Sequence, residues 1–211
     1  MKLSATNLVS IIVLGLIPAA CHAQEFSADV VYLAVNKPDA PSTGTATSPH
    51  GSSKLYVSKD KIRLETNGLT GTILLADRAE HTAVALQPQK RVVQLLASGP
   101  SQYFRVENAD DACQSWQRLA EQKIVCEKIG PELVNGRETV KYRNKSASDT
   151  APAVVWVDKS LKFVIRWQAA ANGAELHNIK EEQQAADLFA VPNDYKTPKP
   201  QKATSKGFSK R

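Results

Sequence analysis

The sequence predicts a mainly β fold, an antiparallel meander of short strands carrying one helix. Three observations lead there. Short apolar runs recur between residues 26 and 179, with turn-forming residues between them. Asn135-Gly136 and Asn172-Gly173 each sit between two such runs, and Asn-Gly suits the positive φ angles of a two-residue type I′ hairpin. The single stretch 108–122 instead spaces its apolar residues as a helix does.

The elements follow in order. Residues 26–35 are rich in Val, Tyr and Leu at both parities, which predicts a strand covered on both faces. Residues 37–53 form a Pro/Ser/Thr/Gly loop. Residues 54–58 and 61–65 then alternate, with Leu55, Val57, Ile62 and Leu64 on one face. Asn67-Gly68 turns the chain into a strand over 70–76, and 82–86 pairs with 91–96 around Gln87-Pro88-Gln89-Lys90. In 108–122, Ala109, Cys113, Trp116, Leu119 and Ala120 share a helical face, with Asp110 and Asp111 where the helix dipole favours acids. Strands over 131–134 and 138–143 flank Asn135-Gly136. Those over 154–157 and 162–167 flank Asp158-Lys159-Ser160, and 174–179 closes the series.

Residues 1–23 read as a secretory signal: Lys2, a run of about ten apolar residues from Leu8, then Cys21-His22-Ala23 as a small-x-small cleavage site. The run is too short to span a bilayer. Ala19-Ala20-Cys21 also fits the end of a bacterial lipobox, so lipid anchoring at Cys21 is the alternative to a soluble periplasmic protein. About 188 residues remain for one domain over 24–195, followed by a basic tail, 196–211.

The net charge of +6 resides in that tail. Of 27 Lys and Arg, seven are Lys2, Lys196, Lys199, Lys202, Lys206, Lys210 and Arg211, leaving 20 against 21 acidic residues. A neutral body with a basic appendage argues against a nucleic-acid groove. The tail reads as a solvated, disordered end or as a weak contact for anionic membrane. With Cys21 removed, Cys113 and Cys126 remain as an even pair, which in an exported chain reads as a disulfide.

Catalytic chemistry is thinly represented, and no catalytic residue, cofactor or metal site is expected. His50, His81 and His177 fall in separate elements without ligand spacing. Ser58-Lys59-Asp60-Lys61 matches Ser-x-x-Lys but straddles a turn rather than opening a helix. Glu107, Asp110 and Asp111 lack the alternating oxygens and turn glycine of a calcium loop. Aromatic residues say more. Trp156, Phe163 and Trp167 lie in one hairpin, and Phe163, Ile165 and Trp167 share a parity. They build either a filled core or a face left open to an apolar ligand.

Several motifs in order resemble a known family. They are Gly51-Ser52-Ser53-Lys54-Leu55-Tyr56 before Asp60-Lys61-Ile62-Arg63, Cys126-Glu127-Lys128-Ile129-Gly130 before Val134-Asn135-Gly136-Arg137, and Trp156-Val157-Asp158 with Ser160-Leu161. Glu175-Leu176-His177-Asn178-Ile179-Lys180-Glu181 and Asp187-Leu188-Phe189-Ala190-Val191-Pro192-Asn193-Asp194-Tyr195 complete the set. Together these resemble small exported bacterial proteins of a domain-of-unknown-function family related to the LolA/LolB-like lipoprotein carriers. The Asn193-Asp194 turn and the Lys-rich tail depart from that pattern.

The resemblance implies an α+β, LolA-like fold: a strongly curved, incomplete antiparallel β-barrel with one or two helices over its concave face. It also implies a non-catalytic periplasmic binding or carrier protein for a lipid or acylated ligand. Leu55, Val57, Ile62, Leu64, Phe163, Ile165 and Trp167 are the expected apolar ligand-facing residues. The alternative function is a periplasmic protein-interaction or envelope stress-sensing module with a fully packed sheet. In either case 185–189 is expected to place Leu188 and Phe189 against the core. Pro192 ends pairing, Asn193-Asp194 turns the chain to solvent, and Tyr195 is the last folded residue.

Overall fold

A computed structural model describes residues 25–33, 53–66, 71–96, 103–120, 123–146, 152–170 and 172–197. The leader with Cys21, His50, most of the 37–53 loop, the Asn67-Gly68 turn and residues 198–211 of the tail lie outside them.

The strands are β1 Phe26–Leu33, β2 Ser53–Val57, β3 Lys61–Glu65, β4 Ile73–Asp77, β5 Thr82–Gln87 and β6 Val92–Leu96, then β7 Ile124–Val134, β8 Arg137–Ser146, β9 Ala153–Asp158, β10 Phe163–Gln168 and β11 Gly173–Glu181. They form one antiparallel sheet in the order β6-β5-β4-β3-β2-β1-β11-β10-β9-β8-β7. Two meanders, β1–β6 and β7–β11, are thus joined where the first strand pairs with the last. The sheet is open, an incomplete barrel whose edges are β6 and β7.

Turn chemistry explains the β7–β8 and β9–β10 connections. Asn135 and Gly136 both take positive φ, 50° and 77°, as a type I′ hairpin requires. The Asn172-Gly173 step does not repeat this. Ala169 N–H bonds Asn172 O at 2.7 Å across a longer connection, and Gly173 is already paired with Gln168. Its glycine serves a close approach instead: a Cβ there would meet Trp167 O at 2.8 Å. In the β9–β10 turn the Asp158 carboxylate accepts from the Ser160 and Leu161 N–H groups at 2.9 and 2.8 Å. Pro131 is tolerated because β7 is an edge strand with a register shift at Gly130.

β1 alternates, contrary to the two-sided burial its sequence suggests: Phe26, Ala28 and Val30 are buried while Ser27, Asp29 and Val31 are only partly so. Its inward face continues through Val57, Leu55 and Ile62 into a core shared with Phe163, Ile165, Ala174 and Leu176. A second cluster holds Val140, Tyr142, Val157 and Val164 under a helix.

That helix, α1 Ala112–Leu119, follows a 3₁₀ turn at Ala109–Asp111. It ends before the expected 122 because Ala120 is already extended. Asn108 and Asp111 cap its start through the Asp110 and Gln114 N–H groups. Trp116 sits edge-on to Tyr142, and the Tyr142 hydroxyl donates to Ala109 O at 2.7 Å and accepts from Ala112 N–H. The Cys113–Cys126 disulfide ties α1 to β7, with the two Cα atoms 5.6 Å apart.

The helix lies on the cavity side of the sheet, since Tyr142, Val155, Trp167, Ala174 and Tyr32 form one register row across β8, β9, β10, β11 and β1. The C-terminal 3₁₀ turn, Ala186–Phe189, takes the opposite face. Arg63, which alternates with Ile62 and Leu64, donates from Nη1 to Leu188 O at 2.8 Å. Phe189 is buried and Leu188 only partly so. The chain is not released at Asn193-Asp194. Lys196 N–H bonds Arg91 O at 2.9 Å, and Val93 N–H bonds Lys196 O at 3.1 Å, so folding reaches at least one residue beyond Tyr195.

Candidate functional site

Period-two alternation turns Val30 and Tyr32 of β1, Leu55 of β2, Ile62 and Leu64 of β3 and Leu74 of β4 towards one side. Ala76 and Ala83, paired across β4 and β5, continue that face with minimal side chains. Large residues on β1–β3 opposite small ones on β4–β5 leave space, a cavity of about 260 Å³. Its fourteen lining side chains are all aliphatic or aromatic.

One wall is aromatic. Phe104 stacks on Phe163 at 5.9 Å and meets Trp167 edge-on at 5.3 Å. Phe163 in turn meets Phe26 edge-on at 5.1 Å. Phe104 belongs to the connection between β6 and α1. Its carbonyl accepts from Val164 N–H at 2.7 Å, and Val106 N–H bonds Lys162 O at 2.9 Å. The sequence reading missed Phe104, whose one local signal is the Tyr103-Phe104 pair standing in a polar stretch.

Of the seven expected ligand-facing residues, Leu55, Ile62, Leu64, Phe163 and Trp167 line this cavity. Val57 and Ile165 do not; both are wholly buried within the core. The common parity of Phe163, Ile165 and Trp167 fails at a register shift. Val164 pairs with Val157 but Arg166 with Trp156, which leaves Ile165 as an inserted residue. Trp167 therefore shares a face with Val155 and Val164. Val30, Tyr32, Leu74, Leu75, Leu96 and Leu176, with Ala76, Ala83 and Phe104, complete the lining without having been singled out from sequence.

Polar groups are kept in the scaffold. Arg137 pairs with Asp158 through Nε and with Glu181 through Nη2 at 2.7 Å. Burial works to raise the Asp158 carboxyl, but Arg137, the Leu161 N–H and Ser160 together hold it below the ordinary carboxylate range. On β1, Asn178 and Lys54 hold Asp29 below its ordinary value despite some burial. Burial pushes the Tyr142 phenol up. His177 Nε2 lies 2.9 Å from Glu175 Oε1, and His81 occupies a turn at φ 51°. Among the described residues no three His, Cys, Asp or Glu side chains converge as metal ligands do. The site offers a shaped apolar surface rather than reactive groups.

No protein-family model matches the sequence, and no curated protein matches it. The architecture does recur among solved structures. An uncharacterized conserved protein from Thermus thermophilus superposes with a TM-score of 0.52 at 10% identity, over 83% of this chain and 90% of its own. The Pseudomonas aeruginosa MucA/MucB complex gives 0.45 at 11%, over 81% of this chain and 56% of that one. A LolA superfamily protein from Nitrosomonas europaea gives 0.34 at 10%, over 80% and 90%. Of these three, the Thermus protein alone superposes closely enough to speak for a shared fold, and at that identity it speaks for fold alone.

Proposed function

We propose that this chain is a non-catalytic binding or carrier protein for a lipid or acylated ligand, held by its alkyl chain in the cavity. The observation that carries this reading is the cavity itself: about 260 Å³ and lined wholly by apolar side chains. Taking a methylene at roughly the 30 Å³ of a liquid water, the space accepts about eight or nine carbons. At about 0.8 kcal/mol per buried methylene, that burial favours binding by roughly 7 kcal/mol before ordering costs. A fully packed interaction module would need this face filled, and the cavity argues against it.

The reading places the protein in the periplasm, supported by the leader sequence and by a disulfide of the kind that oxidising compartments maintain. Lipidation at Cys21 would tether the same carrier to a membrane, and the mass of the mature N-terminus distinguishes the two forms. The basic tail adds an electrostatic contact with anionic lipid, worth about 1 kcal/mol per basic residue near the surface.

Native mass spectrometry of protein purified from its own compartment tests the function. A co-purifying lipid supports it, whereas protein that is consistently empty and takes up no fluorescent acyl probe overturns it. Trp167→Ala sharpens the test, because a residue lining a binding cavity loses probe uptake out of proportion to its loss of thermal stability.

A further inference from the structure

Two arginines neighbour residues of the cavity lining, Arg105 beside the Phe163 ring and Arg78 two residues after Ala76. The Arg105 guanidinium lies 5.8 Å from the Phe163 ring centroid, and its Nη2 donates to Ser58 O at 3.3 Å. Arg78 follows Ala76 by two residues, and its backbone N–H bonds Asp60 O at 2.8 Å. The β2–β3 turn around residues 58–60 therefore anchors both arginines. Both residues are half-buried, and the Nε of Arg78 is itself buried without a hydrogen-bond partner among the described residues. Such a donor carries the desolvation cost of its burial with no hydrogen bond among the described residues to offset it.

We infer that Arg78 and Arg105 form an anion subsite, so that the preferred ligand is an amphiphile whose alkyl chain fills the cavity and whose anionic head meets the two guanidiniums. This rests on the apolar-ligand reading above and names the class of ligand within it. Burial lowers the affinity of each guanidinium for its proton, and the charge of Arg78 lowers that of Arg105 further. Both arginines are tied to the same β2–β3 turn, where the field of Asp60 reaches both and that of Glu25 reaches Arg105. An incoming carboxylate or phosphate relieves that repulsion and supplies acceptors for the unused donor. A neutral head does neither.

The experiment compares laurate, dodecyl phosphate and dodecanol, all below their aggregation thresholds, binding to the full-length mature protein and followed by tryptophan fluorescence. The wild type is expected to prefer the two anions to dodecanol by roughly ten- to hundredfold, the range of one charge-assisted hydrogen bond. Raising the salt should weaken only the anions, a readout that needs no variant. Arg78→Gln with Arg105→Gln should bring the three probes to similar affinity, with dodecanol binding unchanged. Equal wild-type affinities for the three, or a preference that survives in the double variant, overturn the anion subsite while leaving the cavity reading intact. Binding of none of them overturns both. A gain for phosphate alone assigns the head to a phosphoryl group, and equal gains assign it to anions in general.

Discussion

Enlarging Ala83 separates a ligand cavity from a packed core. Ala83 lies across from Ala76 and beside Leu96 in the sheet, and it borders the cavity. Ala83→Leu adds three carbons directed into that space. At about 0.8 kcal/mol per buried carbon the ceiling is about 2.4 kcal/mol. The side chain remains partly exposed, so a gain of about 1–2 kcal/mol is expected. For a domain of this size that raises the melting temperature of ligand-free protein by about 2–8 °C. The same carbons displace ligand, and a dansylated undecanoic acid should bind about 5- to 30-fold more weakly. Delipidated protein is assayed by calorimetry for the first effect and by fluorescence titration for the second. A core already filled gives the opposite pattern, because overpacking costs about 1–3 kcal/mol. A lower melting temperature with unchanged probe affinity would refute the cavity argument.

Three further outcomes follow from the scaffold. Asp158→Asn keeps an oxygen for Ser160 and Leu161 but removes the charged oxygen that pairs with Arg137, and should cost about 3 kcal/mol at pH 7. Because the folded carboxyl titrates below its unfolded value of about 3.9, the wild type holds this stability above that pH and loses it on further acidification. Urea melts should therefore show the gap between variant and wild type narrowing at pH 3, and a constant gap contradicts the assignment. Cys113→Ala with Cys126→Ala opens a 13-residue separation and should lower stability by about 3 kcal/mol, with added reductant then having no effect. Gly173→Ala forces a Cβ to 2.8 Å from a backbone oxygen where β10 and β11 share three paired positions, so a loss of about 1–3 kcal/mol is expected in denaturant melts.

How much of this could be read from the chain depended on the distance over which each cause acts. The β2–β3 hairpin and the Asn135-Gly136 turn were legible because period-two alternation and positive-φ residues act within a few positions. Asn172-Gly173 has the same local composition but answers a different demand, the approach of Trp167 O, which only the folded pair creates. Ile165 looked ligand-facing because strict alternation was assumed through a register shift that partner strands impose. Phe104 owes its place in the aromatic wall to bonds with residues about 60 positions later, and nothing near it announces them. The C-terminal segment reads as placing Leu188 and Phe189 against the core; Phe189 is buried, on the opposite face of the sheet, and Leu188 only partly so. Its continuation to Lys196 depends on β6, about a hundred residues earlier, and so was not visible locally.

The pairing of β1 with β11 sets an order of events for the chain. Phe26 meets Glu181 and Ser27 meets Lys180 in the middle of the sheet, while every other strand pair joins neighbours in sequence. Each meander can zip from local hairpins, yet the seam between them closes a loop of about 150 residues. A chain threaded amino-terminus first through a narrow pore could not complete that seam until nearly all of it had crossed. The topology thereby delays its own locking. In a polypeptide of this topology the central seam is the last pairing that transit through such a pore would allow.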